Sequence, residues 1–405
     1  MHYLRTAPTR RLLATIAGAL AAIAACTAIA VAATGGGPVP RPTTLAKGIH
    51  AALGAGRQHP VRGVSADITF TDNLIDSTDL TGRTVDPLLQ GASGRLWWSS
   101  GGRFRLELQS GSGDAQIVVN KRSWWISDPV QNVVFKGTLP AGSGSGSGSH
   151  ASQAPHGLPT IAAIQTELAR IMQRFNLTGP TSTDVGGHPA YRVAVSPKSS
   201  VGLLGSVQLA WDALRGIPLQ VNIYARGSNT PVLGLQATSI SYGTVPASVF
   251  DISPPAGAHV VPLTAASGGS MPAVTHHGAP VTGLRNVAAH LNFPLHPPAK
   301  ADGLRLEQVR LVALGGGHAA LLLYGHGLGT IAALETRSHG GASSPSSLGG
   351  LSLPTHAVHG ATATVLSTPL GTVLRFSLRG VAYTVLGSVT ASGAESAAGA
   401  LAAGG

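Results

Sequence analysis

From Val64 onward apolar and polar residues alternate, and that alternation limits what the chain can fold into. Ala66, Ile68 and Phe70 are separated by Asp67, Thr69 and Thr71. Side chains two apart share one face of a strand, so this period predicts a strand buried on one side. Residues 94–99, 103–108, 115–120 and 123–127 are further short β-rich runs, separated by Gly, Ser or Asp turns or short polar links. Runs of this kind in series predict an antiparallel meander. More strands are predicted at 190–195, 206–211, 219–225 and 232–241, with 212–216 as a hairpin turn. Val249, Phe250 and Asp251, then Pro254-Pro255, close the unit.

Two segments in this region have a helical period instead. Within 44–53, Leu45, Ile49 and Leu53 recur at spacing four. Within 160–175, Ile161, Ile164, Leu168, Ile171 and Phe175 mark one stripe, and Gly179-Pro180 after Leu177 is the expected stop. Each strand also has one apolar face that needs cover. Phe104, Leu106 and Leu108 share a face, with Arg103, Arg105 and Glu107 on the other. Val207, Leu209 and Trp211 align, as do Leu219, Val221 and Ile223. Two short helices are little cover for so many strands, which leaves either a second sheet or unfilled apolar space. Unfilled apolar space between sheet and helices is a lipid pocket.

The pocket candidates are Trp98, Phe104, Leu106, Leu108 and Trp125, then Leu209, Trp211, Val221 and Ile223. Leu168 and Ile171 belong to the helix expected to act as a lid. The pairs Trp97-Trp98 and Trp124-Trp125 each place one ring on either side of a strand. The outer ring of each pair suits a membrane or partner surface, or packing against a loop.

Composition narrows the function classes. Apolar residues are 43% of the chain and charged residues 11%, which allows a core and excludes disorder driven by charge. A single Cys excludes a disulfide framework and a Cys-based zinc site. The net charge of +11 is spread along the sequence with no long basic block, which argues against a nucleic-acid binder. Attraction to anionic lipid headgroups or cell-wall polymer fits it better. Many of the 54 Gly and 27 Pro sit in 35–43, 141–157, 267–280 and 340–350, and the others mostly punctuate strands.

The N-terminus predicts a membrane segment. Residues 12–33 carry no charge and span roughly 33 Å as a helix, enough for a bilayer core. Arg5, Arg10 and Arg11 precede them, so residues 1–11 are expected in the cytoplasm and the bulk of the chain outside it. Three readings stand open. The segment is a retained signal anchor, a signal peptide cleaved near Ala30-Val31-Ala32, or a lipoprotein signal in which Ile23-Ala24-Ala25-Cys26 is a lipobox lipidated at Cys26. The alternatives make the protein single-pass, secreted or lipid-anchored.

After a linker at 34–43, the first domain covers 44–260 with a flexible insertion at 141–157. A linker at 261–280 leads to a small C-terminal α+β domain at 281–405. It is expected to hold a short helix (Leu284, Val287, Leu291), strands near 304–313, 319–324, 330–335, 373–378 and 382–386, and a final Ala-rich helix at 395–402.

Enzyme motifs are missing from the sequence. It has no G-x-S-x-G elbow and no H-E-x-x-H. Residues 327–332 spell a dinucleotide fingerprint but lead into a predicted strand, so they read as a turn. His276-His277 and His356 with His359 lack nearby carboxylates in sequence and read as surface residues. No catalytic residue, metal or cofactor is assigned.

The run Leu96-Trp97-Trp98, Gly102-Arg103-Phe104-Arg105-Leu106-Glu107 and Lys121-Arg122-Ser123-Trp124-Trp125 resembles the front half of LolA-type lipoprotein-binding domains. Further on, Val185-Gly186-Gly187-His188-Pro189-Ala190-Tyr191 resembles that family's turn and strand. Leu209-Ala210-Trp211-Asp212 with Ile217-Pro218-Leu219-Gln220-Val221 resembles its next hairpin. Phe250 with Pro254-Pro255-Ala256-Gly257-Ala258 resembles its closing element. The order and spacing of these motifs carry the likeness, which covers about half of the chain.

The resemblance implies a curved, half-open antiparallel sheet, an unclosed barrel, covered by helices over a cavity for acyl chains. It implies one of three roles: a lipoprotein carrier, a lipid-transfer lipoprotein, or an RseB-like regulator that binds a membrane anti-sigma factor. The RseB type also has a second α+β domain, yet the tail here is more similar to a domain appended to actinobacterial LolA-like proteins. The expectation is thus a non-enzymatic envelope protein that holds a lipid or lipoprotein acyl chain. The alternatives are an anti-sigma regulator, or a structural envelope protein without a ligand.

Overall fold

A computed structural model describes residues 38–75, 91–110, 113–129, 132–139, 158–263, 281–314, 317–338, 347–348 and 351–404. Residues 12–33 with Cys26, the insertion at 141–157 and nearly all of the linker at 261–280 lie outside the described residues. Among those described, no helix is long and apolar enough to cross a membrane.

The first unit begins with α1 (Leu45–Gln58), then β1 (Gly63–Asp72), β2 (Ala92–Ser99), β3 (Arg103–Ser110), β4 (Gly113–Asn120), β5 (Ser123–Asp128) and β6 (Val133–Thr138). Helix α2 (Ile161–Arg174) runs straight into β7 (Phe175–Val185). Then come β8 (His188–Pro197), β9 (Leu204–Asp212), β10 (Pro218–Ala225), β11 (Pro231–Tyr242) and β12 (His259–Leu263). All twelve strands form one sheet in the order β12-β6-β5-β4-β3-β2-β1-β11-β10-β9-β8-β7. Two meanders meet at β1, which pairs antiparallel with both β2 and β11. Only β12 is parallel to its neighbour, β6. The register shifts between Asp67 and Ile68, between Pro218 and Gln220, and between Thr178 and Thr181. Bulges of this kind bend a strand and increase its twist. The sheet curves into a half-barrel and stays open, with β12 and β7 as its edges.

The two covering helices start as their sequences dictate. Thr44 Oγ1 accepts a hydrogen bond from the Lys47 amide, and Thr160 Oγ1 accepts one from Ala163; such side-chain caps satisfy amides left orphaned in a first turn. The buried face of α1 differs from the expected one. Its buried residues are Ala46, Gly48, Gly54 and Ala55, and the Leu45-Ile49-Leu53 stripe stays half-buried or exposed. The reason is close approach. A Cβ on Gly48 would meet Trp211 Cζ2 at 3.4 Å, and one on Gly216 would meet the Ala52 carbonyl at 2.3 Å. Only small residues allow a backbone so near.

Strand β7 was not expected. Gly179-Pro180 reads in sequence as a stop, but it sits inside an edge strand, at a register shift. A proline on an edge removes no ladder hydrogen bond. Strand β6 is also additional. It is short, and Lys136-Gly137 interrupts its apolar run.

The second unit comprises α3 (Leu284–Ala288), β13 (Lys300–Ala301), β14 (Leu304–Leu314), β15 (Gly317–Tyr324) and β16 (Ile331–Arg337). The two-residue strands β17 (Ser347–Leu348) and β18 (Leu351–Ser352) pair with each other. Then come β19 (Thr355–Val358), β20 (Ala361–Thr368), β21 (Gly371–Leu378), β22 (Val381–Gly387) and α4 (Ala391–Gly404). Eight of these strands make a sheet in the order β13-β14-β15-β16-β22-β21-β20-β19. Helix α4 buries Ala394, Ala397, Ala398, Leu401 and Ala402 in the core of this unit. The stripe is mostly alanine, which lets the helix lie close to the sheet. Strands β19 and β20 went unread because small and hydroxyl residues dominate them. The Gly327–Gly329 turn feeds β16, a strand, as expected of a fingerprint decoy.

Candidate apolar site on the sheet and its helices

The ladders show which candidate side chains share a face. Across β2 and β3, Trp98 is opposite Phe104, Leu96 opposite Leu106, and Gly94 opposite Leu108. Leu106 and Leu108 are fully buried in the main core with Ile68, Phe70 and Leu235, and Trp98 and Phe104 pack against it. Leu106 and Leu108 are therefore core residues, while Trp98 and Phe104 lie on that core and stay half-buried. On the far side of β11, Val221 is opposite both Leu235 and Leu209, and Ile223 is opposite Leu233 and Val207. Leu209, Val221 and Ile223 thus continue the same face, but they are only half-buried and lie outside the main core cluster. Trp211 is buried against α1, with the Tyr191 ring centroid 6.1 Å away.

Trp125 is not part of this group. It is opposite Val118 and Lys136, and Val118 is opposite Arg105, on the face away from Phe104. There it forms a small cluster with Val118 and Val134, covered by Ile252 and Ala258. One pocket cannot hold both Trp98 and Trp125, since alternation puts them on opposite sides of the sheet. The outer ring Trp97 is half-buried, with the Arg105 guanidinium 5.0 Å from its centre. Arg105 also pairs with Glu107 at 2.9 Å and donates to the Val249 carbonyl.

The helices leave apolar side chains in the open. Helix α2 is pinned to α1 at its start, where His50 Nδ1 donates to the Pro159 carbonyl at 2.9 Å. Its Ile164 is buried and Leu168 half-buried, but Ile171 is 39% exposed and Met172 43%. On α1, Leu53 is 52% exposed. Apolar residues at this spacing normally face a core. Here they stay open to solvent, and on the sheet Leu209, Val221 and Ile223 are likewise only half-buried.

The opposite face of β9 to β11 is polar. Gln220 donates to Gln236, Asn222 to Tyr224, and Tyr224 to Gln208. At the strand ends, Asp212 is fully buried. Its Oδ1 accepts from the amides of Leu214 and Arg215, and its Oδ2 accepts from the Tyr242 hydroxyl at 2.7 Å. Burial first, and then the Asp212 charge, push the Tyr242 phenol well above its ordinary pKa. Arg215 stacks 4.2 Å over that ring, and His188 meets its edge. Sequence reading took Asp212 for a turn residue and missed this junction.

Two clefts enclose space elsewhere. One of about 310 Å³ is lined by Arg103, Asn120, Lys121, Ser123, Ala247 and Asp251. Another of about 470 Å³ lies between Asp114, Asp128 and Asn132 and the segment at Pro255 and Ala258. None of the predicted pocket residues lines either cleft. No group of three His, Cys, Asp or Glu side chains able to hold a metal occurs among the described residues. His356 does have a carboxylate beside it, contrary to the sequence reading: α4 brings Glu395 to 2.8 Å.

No protein-family model matches the chain, and no curated protein matches it. Among solved structures, it is similar to the Pseudomonas aeruginosa MucA/MucB complex, at 16% identity and a TM-score of 0.39 over 87% of this chain and 96% of that one. A second structure, of MucB in complex with MucA(peri), gives 16% identity and a TM-score of 0.40 over 88% and 97%. A LolA superfamily protein from Nitrosomonas europaea is similar to 52% of this chain over 99% of its own, at 12% identity and a TM-score of 0.19.

Proposed function

We propose that the chain is a non-enzymatic binding protein of the cell envelope, and that its first unit takes up the acyl chain of a lipid or lipoprotein. The observation that carries this reading is the unburied apolar surface of the first unit, exposed on the paired helices at Leu53, Ile171 and Met172 and half-buried on the sheet at Leu209, Val221 and Ile223. An acyl chain lying between α2 and that face would gain about 0.8 kcal/mol for each buried CH₂. Trp98, Phe104, Leu106 and Leu108 then serve as the packed floor behind the ligand, and Trp211 closes one end under α1. Residues 12–33 would hold the protein at the membrane from which it draws its ligand.

The test is native mass spectrometry of the full chain after gentle extraction, together with titration by a fluorescent fatty acid. A co-purifying lipid and saturable binding are expected. No lipid and no fatty-acid binding would sink the proposal and leave an envelope protein with no ligand. Recovery of a membrane anti-sigma protein with a lipid-free chain would favour the regulatory alternative.

A further inference from the structure

Strands β1 to β6 of the first sheet are electrically polarised along their length, whereas in the other half Arg174, Lys198 and Arg226 lie at the end away from Arg62. At one end, backbone hydrogen bonds run from hairpin to hairpin. Ser100 N donates to the Arg62 carbonyl at 2.9 Å, Lys121 N to Gly102 at 3.0 Å, and Leu139 N to Arg122 at 2.7 Å. This rim gathers Arg62, Arg103, Lys121 and Arg122, all exposed except Arg103, which is half-buried. Asn120 Oδ1 accepts from Arg103 Nε at 3.2 Å and fixes that guanidinium at the mouth of the 310 Å³ cleft. The cleft lining holds two cations, Arg103 and Lys121, against one carboxylate, Asp251. Strands β6 and β12 are parallel and both end at this rim. The stretches that follow them, 140–157 and 264–280, contain no acidic residue.

The other end of the same strands is the reverse. It carries Asp72, Asp114 and Asp128, with no Lys or Arg among the described residues at 72–75, 91–92, 109–114 and 128–133. Across β1 to β6, a rim of four cations set against an end whose exposed charge is the Asp114 carboxylate has a preferred orientation next to a negatively charged plane. We infer that this rim docks the first unit onto anionic phospholipid headgroups, with a lipid phosphate seated in the cleft between Arg103, Lys121 and Ser123. The surface is separate from the apolar site, so a chain that binds no fatty acid would still dock.

The test uses the full chain with Cys26→Ser and one new cysteine, Ser123→Cys at the rim or Asp114→Cys at the far end, each carrying an environment-sensitive fluorophore. Vesicles of phosphatidylcholine, with or without phosphatidylglycerol, carry a nitroxide quencher on their headgroups. Quenching is expected at position 123 and not at 114, only with phosphatidylglycerol, and it should weaken as salt is added. Each of Arg62→Gln, Arg103→Gln, Lys121→Gln and Arg122→Gln should lower the docking constant by about fivefold, equivalent to about 1 kcal/mol per charge near an anionic surface. Lys121→Arg should retain docking, and fatty-acid binding should be unchanged in all of these variants. Equal quenching at both positions, quenching without phosphatidylglycerol, or quenching that survives all four substitutions would overturn the inference.

Discussion

Replacing Glu335 by Gln should stabilise the second unit above neutral pH. Glu335 lies on β16 with its side chain in the core, 3% exposed, opposite Tyr383 on β22 and Ala320 on β15. Its neighbours are poor solvent for a charge. Tyr383 stacks on Phe376 at 4.6 Å, and the buried Tyr324 hydroxyl has no hydrogen-bond partner. Burial raises the Glu335 carboxyl from 4.5 to about 7. Between those values the folded protein holds a proton that the unfolded chain has lost, so stability falls as pH rises through the window and is fully present below it. The full shift corresponds to about 3 kcal/mol, at roughly 1.4 kcal/mol per pH unit. Glu335→Gln keeps the shape and removes the titration. At about pH 8 the variant should therefore be more stable by up to about 3 kcal/mol, and at about pH 4 the two should be nearly equal. Hydrogen exchange of the β15, β16 and β22 amides, measured across that range, reads this unit separately from the first. Native protection that stays flat with pH, or rises with it, would refute the reasoning.

Gly48→Leu should drive a side chain into Trp211 and cost about 1–3 kcal/mol, while Gly48→Ala should be tolerated; thermal melts followed by tryptophan emission compare them. Asp212→Ala should strand two backbone amides and the Tyr242 hydroxyl and cost about 1–3 kcal/mol for each group left buried, read as a lower urea midpoint with an unchanged slope. Ile171→Asn should change stability by no more than about 0.5 kcal/mol, because the side chain is already exposed, yet weaken fatty-acid binding in a fluorescence titration. Leu209→Asn should weaken the same binding from the sheet side.

Much of the fold is visible in the sequence because alternation is a local signal. Ala66, Ile68 and Phe70 announce a one-sided strand without help from any other segment. Long-range pairing is another matter. The position of β1 between β2 and β11 depends on residues far apart in the chain, and so does the addition of β12 to β6. Helix α1 shows a different limit: its leucine stripe gave the correct secondary structure and the wrong face, since close approach favoured Gly48 and Gly54. The four basic residues of the rim are scattered in sequence and look like dispersed charge, and only the hairpin ends bring them together. Leu209, Val221 and Ile223 were legible as a face, but their separation from the Leu106 and Leu108 core depends on curvature that no local pattern records.

Helix α2 passes into edge strand β7 with no residue between them, and the Arg174 carbonyl accepts from the Lys198 amide at the end of β8. The loop that follows, at 199–203, is gripped by Arg226 through the carbonyls of Ser199, Val201 and Gly202. The same loop reaches the second unit, where the Leu203 amide donates to Ser388 Oγ at 2.9 Å and Gly202 abuts Leu328. A connection without slack transmits displacement. A tilt of α2 would therefore be felt along β7 and β8 as far as this junction, which is where the first unit meets the second.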